Sequence, residues 1–177
     1  MPLKQGQTAP PFSLPSVDGR SYSLNSFSDA PAIVVIFMCN HCPYVQATID
    51  RIMALARDYA DQGVAVVGIN SNETVNHPED SFDNMKRWAA QKDFNFPYLR
   101  DETQEIARAY AAEWTPHIFL FDHERKLRYT GAIDDNTQDP KKVKRRYLRE
   151  AIDAVLAKKT PKEAETHAMG CSIKWAG

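Results

Sequence analysis

Two cysteines, Cys39 and Cys42, form a C-x-x-C pair within the sequence 37–44. An apolar stretch precedes the pair and a helical pattern follows it, so Cys42 is expected immediately before a helix that starts at Pro43. A thiolate at a helix N-terminus faces unpaired N–H groups and the positive end of the helix dipole. These can lower its pKa from about 8.5 to roughly 3.5–7.5. The position therefore predicts that Cys42 is the nucleophile.

Cys39 lies three residues earlier, in the expected strand-to-helix loop, where its sulfur could approach that of Cys42. We assign it the resolving role. Other interpretations stay open, because unoxidised cysteines also pack as small hydrophobic residues. Zinc binding by Cys39, His41, Cys42 and Cys171 is disfavoured, since no second close pair fixes a four-ligand geometry, and we predict no metal. His41 is interpreted as an exposed neighbour rather than a base.

The elements around this pair follow from hydrophobic patterning. Residues 32–37 are apolar and rich in β-branched side chains, as a strand buried on both faces requires. After Pro43, apolar residues recur at helical spacing, and the predicted helix ends near Gly63. Residues 64–69 are predicted to form a second buried strand. A strand, a helix and a parallel strand make a right-handed β-α-β unit, so the predicted fold class is α/β. Residues 70–72 are interpreted as a polar turn.

The remaining pattern is less regular. A turn at Asp18-Gly19 predicts an N-terminal β-hairpin, and Asp80 is expected to cap a helix over 81–92. Further expected elements are a strand at 97–99, a helix at 103–110, a strand pair at 117–121 and 125–130, and a last long helix that begins at Pro140. The basic run at 141–146 is interpreted as a solvated face of that last helix.

Length and composition restrict the class of protein. A chain of 177 residues fits one domain, which we place at 1–177. Its net charge of -1 gives no basic field for nucleic-acid or anionic-membrane binding, and no apolar stretch is long enough for a membrane span. The first residues show no secretory leader, so we expect a cytoplasmic protein, in which structural disulfides are rare. The sequence carries no signal of oligomeric state.

Three separated segments together resemble the thioredoxin superfamily. They are residues 9–14, residues 39–43 with the strand before them, and Thr115-Pro116 followed by a strand. The chain is most similar to the peroxiredoxin-like branch of the alkyl hydroperoxide reductase and thiol-specific antioxidant family. The resemblance implies a thioredoxin-like fold, with a central mixed sheet flanked by helices, the N-terminal hairpin and a C-terminal helical extension and tail at about 140–177.

The resemblance also implies site residues. The Thr115-Pro116 bond is expected to be cis, with Pro116 beside the active cysteine and the Thr115 backbone offered to an extended substrate. Trp114 is expected to form a wall of the site, and Pro43 joins these residues as a substrate-binding position. Where thioredoxins have their second cysteine this chain has Val45. Peroxiredoxins carry a P-x-x-x-T-x-x-C motif. With Cys42 aligned to its cysteine, this chain has Val35 in place of the proline and Cys39 in place of the threonine.

The function predicted from these residues is thiol/disulfide oxidoreduction. The Cys42 thiolate attacks a disulfide or a peroxide, and Cys39 or another thiol resolves the product without a bound cofactor. The substrates would be protein or small-molecule thiols and disulfides, with peroxides as an alternative. The rival functions are a thiol-dependent peroxidase and a non-enzymatic redox-sensing or binding module.

Cys171 lies in a C-terminal tail that no pattern places. Ile173 and Trp175 are expected to anchor this tail by burial. If the tail docks beside the strand-to-helix turn, Cys171 could resolve oxidised Cys42, and otherwise it is a packed structural thiol, which we favour from the sequence.

Overall fold

A computed structural model of the chain describes residues 3–177. Its strands and helices follow one another along the chain as β1 (Ser13–Pro15), β2 (Ser21–Ser23), β3 (Ile33–Phe37), α1 (Pro43–Tyr59), β4 (Ala65–Asn70), α2 (Phe82–Lys92), β5 (Tyr98–Arg100), α3 (Glu105–Tyr110), β6 (Trp114–Thr115), β7 (His117–Phe121), β8 (Leu127–Gly131), α4 (Tyr147–Leu156) and β9 (Cys171–Ser172). In this described part, no helix is both long enough and apolar enough to cross a membrane.

The central strand is β3, which leads directly to the C-x-x-C pair. The sheet has the order β5-β4-β3-β7-β8, in which β3 runs parallel to β4 and antiparallel to β7. All five residues of β3 are buried, with Val34 and Ile36 in one apolar cluster and Val35 in the other. Helices α1, α2 and α4 contribute to the first cluster and α3 to the second. The predicted mixed sheet flanked by helices is confirmed.

Helix α1 begins where the sequence predicts. Cys42 is its N-cap residue, Pro43 occupies the first helical position, and the Gln46 N–H donates to the Cys42 carbonyl at 2.9 Å. A short 3-10 turn follows the helix, and Gly63 ends it with a left-handed backbone (φ 79°) that glycine adopts at little cost. The N-terminal hairpin is also confirmed, since β1 and β2 pair antiparallel around Gly19.

The start of α2 differs from the prediction. Ser81, not Asp80, is the N-cap residue, and its hydroxyl accepts from the Asn84 N–H at 3.2 Å. Asp80 closes a 3-10 turn and is only 3% exposed. Its carboxylate instead accepts the Asn40 N–H at 2.7 Å. A contact between residues forty positions apart has no local sequence signal, so the capping assignment was wrong.

The start of the last helix also differs. Pro140 opens only a 3-10 turn that ends at Lys142, and α4 begins at Tyr147. The Asp139 side chain caps the start of that turn by accepting the Lys141 N–H, and the turn ends where Val143 adopts an extended backbone. The basic run at 141–146 therefore precedes the helix and does not form one of its faces.

The C-terminal tail is ordered against the body of the protein. Its strand β9 pairs antiparallel with β6, and Ile173 is 3% exposed in the second apolar cluster. Trp175 is 42% exposed, and the Arg108 guanidinium lies 5.1 Å from the centre of its ring. Burial of Ile173 is confirmed, but burial of Trp175 was wrong, because this indole packs on a surface cation instead of entering the core.

Candidate active site

The candidate nucleophile Cys42 lies at the junction between β3 and α1. It is only 4% exposed. As a thiol, its Sγ donates to the carbonyl oxygen of Thr115 at 3.2 Å. This contact joins the start of α1 to β6, two elements that are far apart in the sequence.

Cys39 lies in the loop between β3 and α1 and is 3% exposed. Its Sγ is 3.6 Å from Oγ1 of Thr115, the residue whose carbonyl oxygen contacts Cys42 Sγ. The structure therefore brings the two sulfurs of the C-x-x-C pair together beside one threonine. Both cysteines are free thiols.

The third cysteine reaches the same place from the C-terminal tail. Cys171 is the register partner of Thr115 in the β6–β9 pair, and Thr115 Oγ1 donates to the Cys171 carbonyl at 3.4 Å. Cys171 packs against the buried cluster that contains Cys42, and the two residues shift each other's pKa. The tail thus docks beside the strand-to-helix turn, which is the geometry that would allow Cys171 to resolve oxidised Cys42.

These contacts favour a thiolate at Cys42. A hydrogen bond from the Cys39 thiol is the largest cause, and the Cys171 thiol and the Val45 N–H act in the same direction. Burial opposes them by penalising the charge, but the pKa of Cys42 is lowered to about 4. At neutral pH the Cys42 sulfur is therefore the charged one.

The same interactions act in the opposite direction on Cys39. Its hydrogen bond to Cys42 raises the pKa of the Cys39 thiol, and burial and the nearby charge of Asp80 raise it further. Cys39 is thus held as a neutral donor. The two thiols of the pair therefore differ: Cys42 accepts the hydrogen bond and Cys39 donates it.

A buried polar cluster holds the Cys39 loop from the other side. Asp80 accepts from the Asn40 N–H, from Asn70 Nδ2 at 3.2 Å and from Asn72 Nδ2 at 3.0 Å, and Tyr98 donates to Asn40 Oδ1 at 2.8 Å. Sequence reasoning missed Asp80 as part of the site. The polar turn at 70–72 was noticed, but its amides are buried and serve this cluster.

The other predicted site residues occupy different positions around the thiols. The Thr115-Pro116 bond is cis, as predicted. Trp114 is partly buried and its ring faces His167, with the ring centres 6.4 Å apart. Pro43 and His41 are exposed. Among residues 3–177, no group of three His, Cys, Asp or Glu side chains is arranged to hold a metal ion.

Fold and site together define a thioredoxin-like protein of the thiol oxidoreductase class. The fold is shared with a thiol:disulfide interchange protein of the thioredoxin family from Chlorobium tepidum TLS (TM-score 0.68, 21% identity, covering 86% of this chain and 98% of that one). Residues 5–130 match the AhpC/TSA family, and the chain belongs to that family.

Similar proteins carry both kinds of activity in their names. The chain is 25% identical over 123 residues to thiol-disulfide oxidoreductase ResA of Geobacillus thermodenitrificans, which covers 70% of this chain and 66% of that protein. It is 27% identical over 119 residues to peroxiredoxin Bcp of Escherichia coli K12, with 67% and 70% covered. A hypothetical protein SMc02350 from Sinorhizobium meliloti is similar over 100% of this chain and 97% of its own, with a TM-score of 0.94 and 39% identity.

Proposed function

We propose that this chain catalyses thiol/disulfide exchange with Cys42 as the attacking thiolate. One observation carries the proposal: Cys42 is the N-cap residue of α1 and its Sγ lies 3.2 Å from the Thr115 carbonyl, while the same threonine contacts Cys39 Sγ and pairs with Cys171, so three thiols meet at one helix start. A sulfur surrounded by thiol donors is charged before the substrate arrives, and each donor is also a second thiol for the next step.

The first step forms one S–S bond and breaks another. The Cys42 thiolate attacks one sulfur of a substrate disulfide, a mixed disulfide forms, and the other substrate sulfur leaves as a thiolate. A second thiol of the chain then attacks the Cys42 sulfur and releases the rest of the substrate. The chain ends with an internal disulfide, which an external dithiol reduces.

Two positions of the peroxiredoxin motif favour disulfides over peroxides as substrates. Val35 is buried in β3, and Cys39 points to Thr115 Oγ1. These two positions thus carry apolar and thiol groups where the resembling peroxidases carry a proline and a threonine. The similarity to peroxiredoxin Bcp keeps peroxide as the second candidate substrate, with Cys42 sulfenic acid as its first product.

A cytoplasmic location is part of this proposal. Its support is that Cys39, Cys42 and Cys171 are all free thiols, as is typical of a compartment that keeps thiols reduced. Trapping the thiols of intact cells with an alkylating reagent tests it. Cys39, Cys42 and Cys171 should be recovered alkylated without prior reduction, whereas recovery as stable disulfides would contradict the location.

The decisive experiment compares two oxidants. The protein is treated with one equivalent of oxidised glutathione or of hydrogen peroxide, and its cysteines are mapped by mass spectrometry. Oxidised glutathione should modify Cys42 faster, giving a glutathione adduct or an internal disulfide, and Cys42→Ser should give neither. Faster reaction with peroxide would favour the peroxidase. No reaction with either oxidant, and no turnover with a dithiol, would favour the binding module.

A further inference from the structure

The segment that covers the thiols is held at its two ends. Residues 167–172, here called the strap, run between Thr166, whose N–H donates to the Thr130 carbonyl at 3.0 Å, and Ile173, whose N–H donates to the Glu113 carbonyl at 3.0 Å. The strap includes β9, which pairs with only two residues of β6. A short pairing between two anchors can separate without unfolding either anchor.

The strap blocks the Cys42 sulfur. A new disulfide needs an S–S distance of about 2.05 Å, so the substrate sulfur must make direct contact with Cys42 Sγ. Cys42 is only 4% exposed, and Cys171 of the strap packs against the buried cluster that contains Cys42. Cys39 and Thr115 contact the same site from within the fold. The strap is therefore the element that has to move before a substrate reacts.

The place that the strap occupies suits an extended peptide. Thr115 lies at the edge of β6, its carbonyl is 3.2 Å from Cys42 Sγ, and its register partner across the pair is Cys171. A polypeptide that binds an exposed edge adds to it as a further strand through main-chain hydrogen bonds. On β6, such a strand would bring a cysteine to the position that Cys171 holds.

Gly170 allows the strap to pack closely against β6. A Cβ atom at Gly170 would overlap the Thr115 carbonyl and lie 3.2 Å from the Pro116 nitrogen, all of them backbone atoms that cannot turn away. Gly170 does not have the left-handed backbone that disfavours other residues. A side chain at position 170 would therefore clash with β6, but it would not strain the backbone of the strap itself.

Once a mixed disulfide has formed, the two remaining thiols differ. The Cys42 charge is then gone, and with it the hydrogen bond that keeps the other thiols protonated. Burial and the charge of Asp80 still raise the pKa of Cys39. Burial is also the largest cause that raises the pKa of Cys171, but Cys171 is the less buried of the two and Lys174 opposes the rise. Cys171 therefore becomes a thiolate more easily than Cys39, which favours it as the thiol that attacks the mixed disulfide.

We propose that the strap is a competitor within the chain for the edge of β6, where the resemblance to thioredoxin-like proteins implies that an extended substrate docks. The strap leaves before docking and returns to bring Cys171 against the Cys42 mixed disulfide. The Cys171 sulfur attacks Cys42 Sγ as its proton passes to the departing substrate sulfur, a Cys42–Cys171 bond forms, the Cys42–substrate bond breaks, and the substrate leaves as a thiol. The inference rests on the proposed function and adds the segment that controls access to Cys42 and the second thiol.

Disulfide mapping separates this inference from the function on which it rests. After one equivalent of oxidised glutathione, the wild-type protein should contain a Cys42–Cys171 disulfide, Cys171→Ser should accumulate glutathione on Cys42, and Cys39→Ser should still form the Cys42–Cys171 bond. A Cys39–Cys42 disulfide in the wild-type protein would overturn the inference alone. Absence of any modification of Cys42 would overturn the proposed function as well.

A strap variant that keeps all three thiols tests the competition. Gly170→Ala should raise the rate of mixed-disulfide formation with an extended cystine peptide. It should slow the following Cys42–Cys171 bond by about tenfold or more, because an undocked strap loses effective concentration at Cys42. Met169→Ala, at a half-exposed position of the same strap, is the matched control and should change neither rate by more than about twofold. Wild-type rates in Gly170→Ala would contradict the competition.

Discussion

Cys39 and Cys42 are three residues apart, yet their surroundings drive their pKa values in opposite directions. Cys42 receives hydrogen bonds from Cys39, Cys171 and the start of α1, and the pKa of its thiol falls to about 4. Cys39 donates to Cys42 and faces the charge of Asp80, so the pKa of its thiol rises. The spacing of two cysteines thus does not say which is charged, and the groups from other parts of the chain decide it.

The largest expected effect follows from removing the charged member of the pair. Cys42→Ser should reduce disulfide-exchange turnover to background, because an alcohol is not ionised at neutral pH and cannot replace the thiolate. Cys39→Ser should keep the first attack on the substrate disulfide. Steady-state assays with oxidised glutathione and a dithiol measure both variants. Substantial turnover by Cys42→Ser would contradict the assignment of Cys42 as the nucleophile and Cys39 as a neutral thiol.

The second prediction removes the donor without removing the nucleophile. Cys39→Ala should raise the pKa of Cys42 toward its ordinary value, because the largest stabilising hydrogen bond is lost. Cys39→Ser keeps a donor of similar size at the same position and should raise it less. Thiolate absorbance followed against pH gives both values. Equal titration of the two variants would show that the hydrogen bond between the cysteines is not the main cause.

The third prediction concerns the polar cluster behind Cys39. Asp80→Asn should lower the free energy of unfolding by about 1–3 kcal/mol, because one carboxylate oxygen becomes an NH₂ group that faces existing donors. Tyr98→Phe removes one hydroxyl from the same cluster and should cost about 0.5–1.5 kcal/mol.

Urea unfolding measures both variants of the cluster, and titration of Cys39 in Asp80→Asn should show a lower pKa than in the wild-type protein, because the negative charge beside its thiol is lost. An Asp80→Asn protein as stable as the wild type would mean that the cluster does not hold the Cys39 loop. The comparison would then rest on the thiols alone.

The parts of the molecule that the sequence predicted well are those set by neighbouring residues. The apolar run of β3 and the proline at the start of α1 specify a buried strand and a helix without further information, and they place Cys42 at the junction. The cis bond before Pro116 was also predicted, from the resemblance of a short motif.

The parts that the sequence did not predict depend on contacts between distant residues. In the local sequence Asp80 looks like a helix N-cap. Its carboxylate instead accepts a hydrogen bond from the buried Asn40 N–H, and Ser81 is the N-cap residue of α2. Nothing near Cys171 in the sequence shows that its strand pairs with β6. Trp175 was expected in the core, and only the position of Arg108 explains its place at the surface.

The central claim is that Cys42 carries the thiolate of this site, and its alkylation rate against pH tests that claim most directly. Iodoacetamide labelling between pH 3 and 10, with each cysteine identified by mass spectrometry, gives a titration for each thiol. Because the thiolate is the reactive form, the rate at Cys42 should fall as pH drops through about 4 and be nearly constant above about 5. Labelling of Cys42 that rises only near pH 9, or Cys39 reacting first at neutral pH, would contradict the account.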